Sequence, residues 1–123
     1  MVLGVDLIEI ARVERALARF GDRFLERVFT PAEIVHSRGR LPELAARFAA
    51  KEAVSKALGV GVRMLSPMGI DWHDVEVTAD RQGKPLLQLH GRAAERSQEL
   101  GLAEWEVSLS HSRELAIALV GAQ

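Results

Sequence analysis

The sequence predicts an α+β fold, a single compact domain in which a mainly antiparallel sheet packs on one long helix. Three observations carry that expectation. The chain has 123 residues, too few for two separate cores. Strand-like and helix-like stretches interleave, but hairpins join the later strands, which argues against a doubly wound parallel sheet. One stretch, about Glu43 to Leu58, keeps helical character longer than any other.

Val2 to Ile8 is an apolar run interrupted by Asp6 and reads as a buried strand. From Glu9 the period changes. Ile10, Val13, Leu17 and Phe20 fall three or four apart, as on one helix face, and Gly21 suits the stop. A second helical piece runs from Asp22 to Val28. Thr30-Pro31-Ala32-Glu33 then marks a helix start. Thr30 caps orphan amides, Pro31 suits the first helical position, and Glu33 completes a capping box. Gly39-Arg40-Leu41-Pro42 breaks the chain before the long helix.

On that helix Ala46, Ala50, Ala53 and Ala57 form a stripe of small residues that lets it lie close against a sheet or another backbone. Gly59 ends it, and a loop runs on through Pro67. Val75 and Val77 alternate with polar neighbours, as in a half-buried strand. Arg81-Gln82-Gly83-Lys84-Pro85 turns the chain into Leu87 and Leu89. Gly91 to Leu100 reads as a surface helix ending at Gly101. Trp105, Val107 and Leu109 alternate, His111-Ser112-Arg113 turns, and Ala116 to Val120 returns to close a hairpin.

Composition narrows the functions. A net charge of −1 argues against a chain that holds nucleic acid by bulk charge. The absence of cysteine excludes disulfides and thiolate metal sites. No apolar run approaches the roughly 20 residues that span a bilayer. The start Met1-Val2-Leu3-Gly4 lacks the basic region and long apolar run of a signal peptide, so a cytoplasmic protein with no membrane partner is expected. Aromatics make up only 5%, so aliphatic side chains and alanine must fill the core, and a shared subunit interface would help stability.

Few residues suggest chemistry by themselves. Asp6 interrupts an apolar strand, where an ionised carboxylate is costly unless paired or bound to a metal; it also reads as a cap for the next helix. Glu52 and Lys56 have the spacing of an ordinary helix-surface pair. Yet Phe48, Glu52 and Lys56 fall in one sector with Ala45 and Ala49, where solvated residues are not expected. Asp6 on a strand beneath that helix could share a hard cation with Glu52. Gly59-Val60-Gly61 reads as a helix stop or as a backbone that approaches a phosphate. His111 reads as a core or hairpin-turn histidine, and His36 and His90 as surface residues. Asp71-Trp72-His73-Asp74 looks like a metal site but lacks helical or hairpin ligand spacing. Arg12, Arg15, Arg19, Arg23 and Arg27 recur every three or four residues. They form either a solvated face, with Glu9, Glu14, Asp22 and Glu26 interleaved, or a basic ridge for an acidic protein.

The wording and order of four blocks is specific. They are Gly4-Val5-Asp6-Leu7-Ile8-Glu9-Ile10-Ala11-Arg12, the run from Arg47-Phe48-Ala49-Ala50-Lys51-Glu52-Ala53 to Gly61, Gly83-Lys84-Pro85, and Val107-Ser108-Leu109-Ser110-His111-Ser112. In this order the chain resembles the small holo-[acyl-carrier-protein] synthases over nearly its whole length. It departs at Val60, where threonine is usual, at Ser112, where threonine or aspartate is common, and at Val2, where glycine is usual.

The resemblance implies a phosphopantetheinyl transferase fold over residues 1–123 and a homotrimer with coenzyme A in clefts between subunits. It implies an enzyme that moves 4′-phosphopantetheine from coenzyme A to a serine of apo acyl carrier protein, in support of fatty-acid synthesis. Asp6 and Glu52 would bind Mg²⁺, and Lys56 would face the pyrophosphate and stabilise the departing 3′,5′-ADP. Glu52 would orient and deprotonate the serine, directly or through a bound water. Arg47 and the loop containing Gly59 and Gly61 would hold the nucleotide end, with Pro85 and His111 lining the same pocket. Arg12, Arg19, Arg23 and Phe24 would meet the carrier protein. Two rivals stand beside it: a hydrolase of the coenzyme A pyrophosphate, which uses the same pocket but needs no arginine ridge, and a module that only binds carrier protein or oligomerises, which would not need Asp6, Glu52 and Lys56 together.

Overall fold

Apolar periods and local punctuation are realised element by element in the computed structural model, which describes residues 1–62 and 69–123. The order is β1 (Val2–Glu9), α1 (Ile10–Phe20), α2 (Asp22–Val28), α3 (Pro31–Ser37) and α4 (Leu41–Leu58). A 3₁₀ turn (Trp72–Asp74), β2 (Val75–Ala79), β3 (Pro85–Leu89), α5 (Gly91–Glu99), β4 (Trp105–His111) and β5 (Leu115–Ala122) follow. The part of the expected loop that contains Pro67 lies outside the described residues. Among the described residues no helix is long and apolar enough to cross a membrane.

The start of α3 is the one the sequence dictates. Thr30 Oγ1 accepts from the Glu33 amide at 3.2 Å, and Glu33 Oε1 accepts from the Thr30 amide at 2.9 Å. The long helix begins at Leu41 rather than Glu43. Pro42 sits in its first turn, where a missing N–H costs nothing because those amides have no intrahelical acceptor.

The strands form two antiparallel sheets rather than one, in the orders β1-β5-β4 and β2-β3. β1 pairs with β5 so that Gly4 faces Val120, Asp6 faces Ala118 and Ile8 faces Ala116. β2 pairs with β3 through Val75–Leu89 and Val77–Leu87. Because side chains alternate along a strand, the larger sheet has two unlike faces. Ile8, Val107, Ala116, Ala118 and Val120 point inward and are buried against α4. Leu3, Val5, Leu7, Leu115, Ile117 and Leu119 point outward and are exposed. The strand expected to be buried is therefore covered on one face only in a single protomer.

α4 is buried over most of its circumference, with Ala45, Ala49, Ala50 and Ala53 fully enclosed. Phe24 stacks on Phe48 at 6.4 Å between centroids, and Phe48 lies 4.8 Å from Trp72, so rings tie α2 and the 3₁₀ turn to α4. Lys51 is a buried ion near the middle of this core. Its Nζ donates to Glu33 Oε1 at 2.8 Å, to Trp72 O at 2.9 Å and to Val75 O. Burial pushes the Lys51 ammonium below its usual range, and the Glu33 carboxylate opposes that shift.

Candidate active site

Strand alternation puts Gly4, Asp6 and Ile8 on the face of β1 that meets α4. Asp6 does not cap the following helix, since Glu9 is the N-cap of α1 and no side chain caps it. Its carboxylate instead meets Lys56, whose Nζ lies 2.8 Å from Asp6 Oδ1 and 3.1 Å from Val5 O. The lysine side chain is 55% exposed and the aspartate 14%, so a mobile cation closes on a sheltered anion. Such partly solvated pairs contribute on the order of 1 kcal/mol or less, and Lys56 is free to exchange partners.

Glu52 stands one helical turn before Lys56 and is half-buried. Its carboxyl is pushed above the usual range, first by burial and then by the Asp6 charge, while Lys56 and Arg12 pull it down. Asp6, Glu52, Lys56 and Arg12 thus share one electrostatic neighbourhood.

Arg47 lies elsewhere on α4 and is 6% exposed. One terminal nitrogen donates to Glu43 Oε2 at 2.9 Å and to Glu43 O at 3.1 Å, while its buried Nε has no partner. An orphaned buried donor is costly and points to a missing acceptor. Glu43, Arg47, Thr78, Gly83, Pro85 and His111 line a cavity of about 260 Å³. Arg47, Pro85 and His111 are therefore brought together as the sequence suggests, and His111 ends β4 rather than opening the turn. Asp6, Glu52 and Lys56 are not part of that lining. The carboxylates with Lys56 and the cavity beside Arg47 are therefore two separate groups of residues in the chain.

Gly59 and Gly61 adopt left-handed backbone, with φ of 72° and 71°. Their amides are already engaged: Gly59 N donates to Lys56 O at 3.1 Å, and Val60 N and Gly61 N to Ser55 O at 3.2 and 3.4 Å. The loop closes the C-terminus of α4, as the helix-stop reading expects.

All five ridge arginines are exposed. The ridge nevertheless divides. The Arg12 charge acts on Glu52, and the Arg19 guanidinium lies 5.2 Å from the Phe20 ring centroid. Arg23 and Phe24 join Phe20, Arg27, Phe48 and Trp72 around a groove of about 780 Å³. Asp71 precedes the 3₁₀ turn as its N-cap: Asp74 Oδ2 accepts from the Asp71 amide at 3.1 Å, and His73 Nε2 lies 2.7 Å from Glu26 O.

The sequence reading assigned no role to three residues. Glu43 orients Arg47, Lys51 anchors the helix beside Glu52, and Gly4 touches its backbone. A signal for Lys51 exists, because Leu44, Arg47, Lys51, Val54 and Leu58 repeat at helical spacing and all are buried.

Residues 2–120 match the family described as the 4′-phosphopantetheinyl transferase superfamily. A holo-[acyl-carrier-protein] synthase of Herpetosiphon aurantiacus is 52% identical over 122 residues, covering 98% of this chain and 96% of that one. The fold matches a Helicobacter pylori holo-[acyl-carrier-protein] synthase crystallised with coenzyme A, with a TM-score of 0.87 and 33% identity over 98% of this chain and 99% of that one. A synthase–coenzyme A complex from Chronobacterium ammoniagenes matches with a TM-score of 0.75 and 36% identity over 97% of this chain and 93% of that one. A fold, a set of residues and a near full-length identity that agree to this extent make the chain an enzyme of the holo-[acyl-carrier-protein] synthase family, within the 4′-phosphopantetheinyl transferase superfamily.

Proposed function

We propose that this chain transfers 4′-phosphopantetheine from coenzyme A to a serine of apo acyl carrier protein, releasing adenosine 3′,5′-bisphosphate, with Mg²⁺ held by Asp6 and Glu52. The observation that carries this reading is the meeting of Asp6, Glu52 and Lys56 between β1 and α4. The half-buried Glu52 carboxyl, held above its usual range by burial and by the Asp6 charge, makes with Asp6 a pair that fits a hard divalent cation. Among the described residues no group of three or more His, Cys, Asp or Glu gathers as a metal site. Two carboxylates are only part of a Mg²⁺ donor set, and in the proposed complex water and substrate oxygens complete it.

Phosphoryl transfer asks mainly for positioning and charge neutralisation. Bound Mg²⁺ supplies Lewis-acid polarisation of the pyrophosphate. Asp6 and Glu52 fix its place. Lys56 moves from Asp6 to the pyrophosphate and offsets the charge that develops on the leaving nucleotide. Glu52 receives the serine proton, directly or through water, as the serine oxygen bonds to the phosphorus that bears pantetheine and the bond to the nucleotide phosphate breaks. Arg47, with its unpaired Nε, Pro85 and His111 receive the nucleotide end.

The family resemblance supports a homotrimer, and the separation of the two groups fits an arrangement in which one subunit's carboxylates face a neighbour's Arg47 cavity. The exposed apolar face of β1 and β5 supplies the surface for it. Exposed arginines and the groove beside Phe24 suit an acidic carrier protein. The cysteine-free composition suits a reducing cytoplasm, and the family resemblance supports a role in fatty-acid synthesis.

Intact-mass analysis tests the reading. Apo carrier protein incubated with this chain, coenzyme A and Mg²⁺ should gain one phosphopantetheine. Nucleotide release without any mass gain would establish the hydrolase instead, and neither product would leave a binding module.

A further inference from the structure

Gly4 lies in the middle of β1 with an ordinary extended backbone, so no torsional demand calls for glycine there. Space does. A Cβ at this position would overlap Ala53 O and stand 3.0 Å from Ala53 C and 3.1 Å from Ala57 Cβ. The nearest atom is helix backbone and cannot rotate away. Glycine inside a strand marks such close backbone approach. Ala53 immediately follows Glu52, and Asp6 lies two residues along the strand, about 7 Å away at the usual rise. Lys56, which bonds both Val5 O and Asp6 Oδ1, directly precedes Ala57. The contact thus lies where the elements carrying Asp6, Glu52 and Lys56 come nearest.

We propose that Gly4 is a positioning residue for the carboxylate pair: its bare Cα, seated on the Ala53 carbonyl, sets the separation of β1 from α4 and so the spacing of Asp6 from Glu52. This rests on the metal-binding reading of those two carboxylates. Any side chain at residue 4 lifts the strand off the helix and moves Asp6 away from Glu52 without altering either ligand. Gly121 in the adjacent β5 is a matched control. A Cβ there would meet only the mobile end of Leu3, at 3.3 Å, and Val2 O at 3.8 Å.

The test is Mn²⁺ binding to the protein without coenzyme A, followed by electron paramagnetic resonance, on wild type, Asp6→Asn, Gly4→Ala and Gly121→Ala. Circular dichroism establishes that each is folded. Gly4→Ala should bind Mn²⁺ at least tenfold more weakly, with kcat recovering at high Mg²⁺, while Gly121→Ala binds as wild type does. Should Gly4→Ala not fold, Ala57→Val brings bulk to the same contact from the helix side and decides, with a several-fold loss expected. Wild-type Mn²⁺ affinity in whichever variant folds, or failure of both to fold, overturns the positioning role. Equal Mn²⁺ binding by wild type and Asp6→Asn would show instead that the metal reading is wrong, and the inference falls with it.

Discussion

Lys56 and Asp6, 50 positions apart in sequence, meet with Nζ 2.8 Å from Oδ1. An exposed lysine and a sheltered carboxylate make an exchangeable pair, which suits a site that must admit a cation and a pyrophosphate. Asp6→Asn and Glu52→Gln keep shape and remove charge. Each should slow transfer on the order of 100-fold or more, in line with the loss of one preorganised electrostatic group. Neither should lower the melting temperature by more than a few degrees, because neutralising a sheltered carboxylate relieves a desolvation cost. Rates by intact mass and melts by circular dichroism check both halves.

Leu7 and Ile117 are cross-strand partners on the open face of the larger sheet. Leu7→Glu or Ile117→Glu places a charge where a neighbouring subunit would bury it, yet leaves the protomer core untouched. Each should convert the assembly to monomers with unchanged far-ultraviolet circular dichroism and lost transfer. Light scattering at assay concentration gives the mass, and an active monomer would rule out shared sites.

Arg23 lines the groove beside Phe24, whereas Arg12 acts on Glu52. Arg23→Ala should raise the KM for carrier protein several-fold at low salt and leave the KM for coenzyme A unchanged. The gap should narrow as ionic strength rises, since screening already weakens the wild-type attraction. Arg12→Ala should lower kcat as well, because it removes a charge felt at the reacting carboxylates. Steady-state kinetics at two salt concentrations separates the roles.

Glu76 links the two ends of β2's neighbourhood: Thr30 Oγ1 donates to its Oε2 at 2.6 Å, and His90 Nε2 lies 3.2 Å from its Oε1. The Thr30 hydrogen bond, opposed by burial and helped by His90, holds the Glu76 carboxyl below its ordinary range. A carboxyl that ionises more readily when folded stabilises the fold above its unfolded pKa, about 4.3, and that stability is lost as pH falls through the lower folded value. Glu76→Gln should therefore be less stable than wild type at pH 7, with the difference shrinking through acid pH. Urea midpoints measured across that range check the sign.

Local signals were the legible ones. The Thr30–Glu33 cap, the stop at Gly59 and the alternation of Val75 and Val77 all depend on neighbours within a few residues, and the elements formed where those signals lie. Asp6, Glu52 and Lys56 were legible as a set because the resemblance joined them, while spacing alone allowed a capping aspartate and an ordinary surface pair. What stayed hidden depended on distant chain. Helical spacing puts Lys51 on a buried stripe, but its partners Glu33, Trp72 and Val75 come from distant chain. The division into two sheets, and the open outer face of β1, follow from which strands pair, and periodicity carries no information about that choice.

Glu33 Oε1 accepts from the Thr30 amide and from Lys51 Nζ at once, while Oε2 takes the Val77 amide. The residue that starts α3 is thus also the counterion of α4 and an anchor for β2. α3 has only seven residues, well short of the roughly 12–15 at which an isolated helix becomes even marginal. Were it to fray alone, it would strand the Lys51 ammonium in the core without its anion. Slow amide exchange in α3 and at Val77 should accordingly track opening of the whole domain, so this short surface-connected helix behaves as part of the last cooperative unit to open.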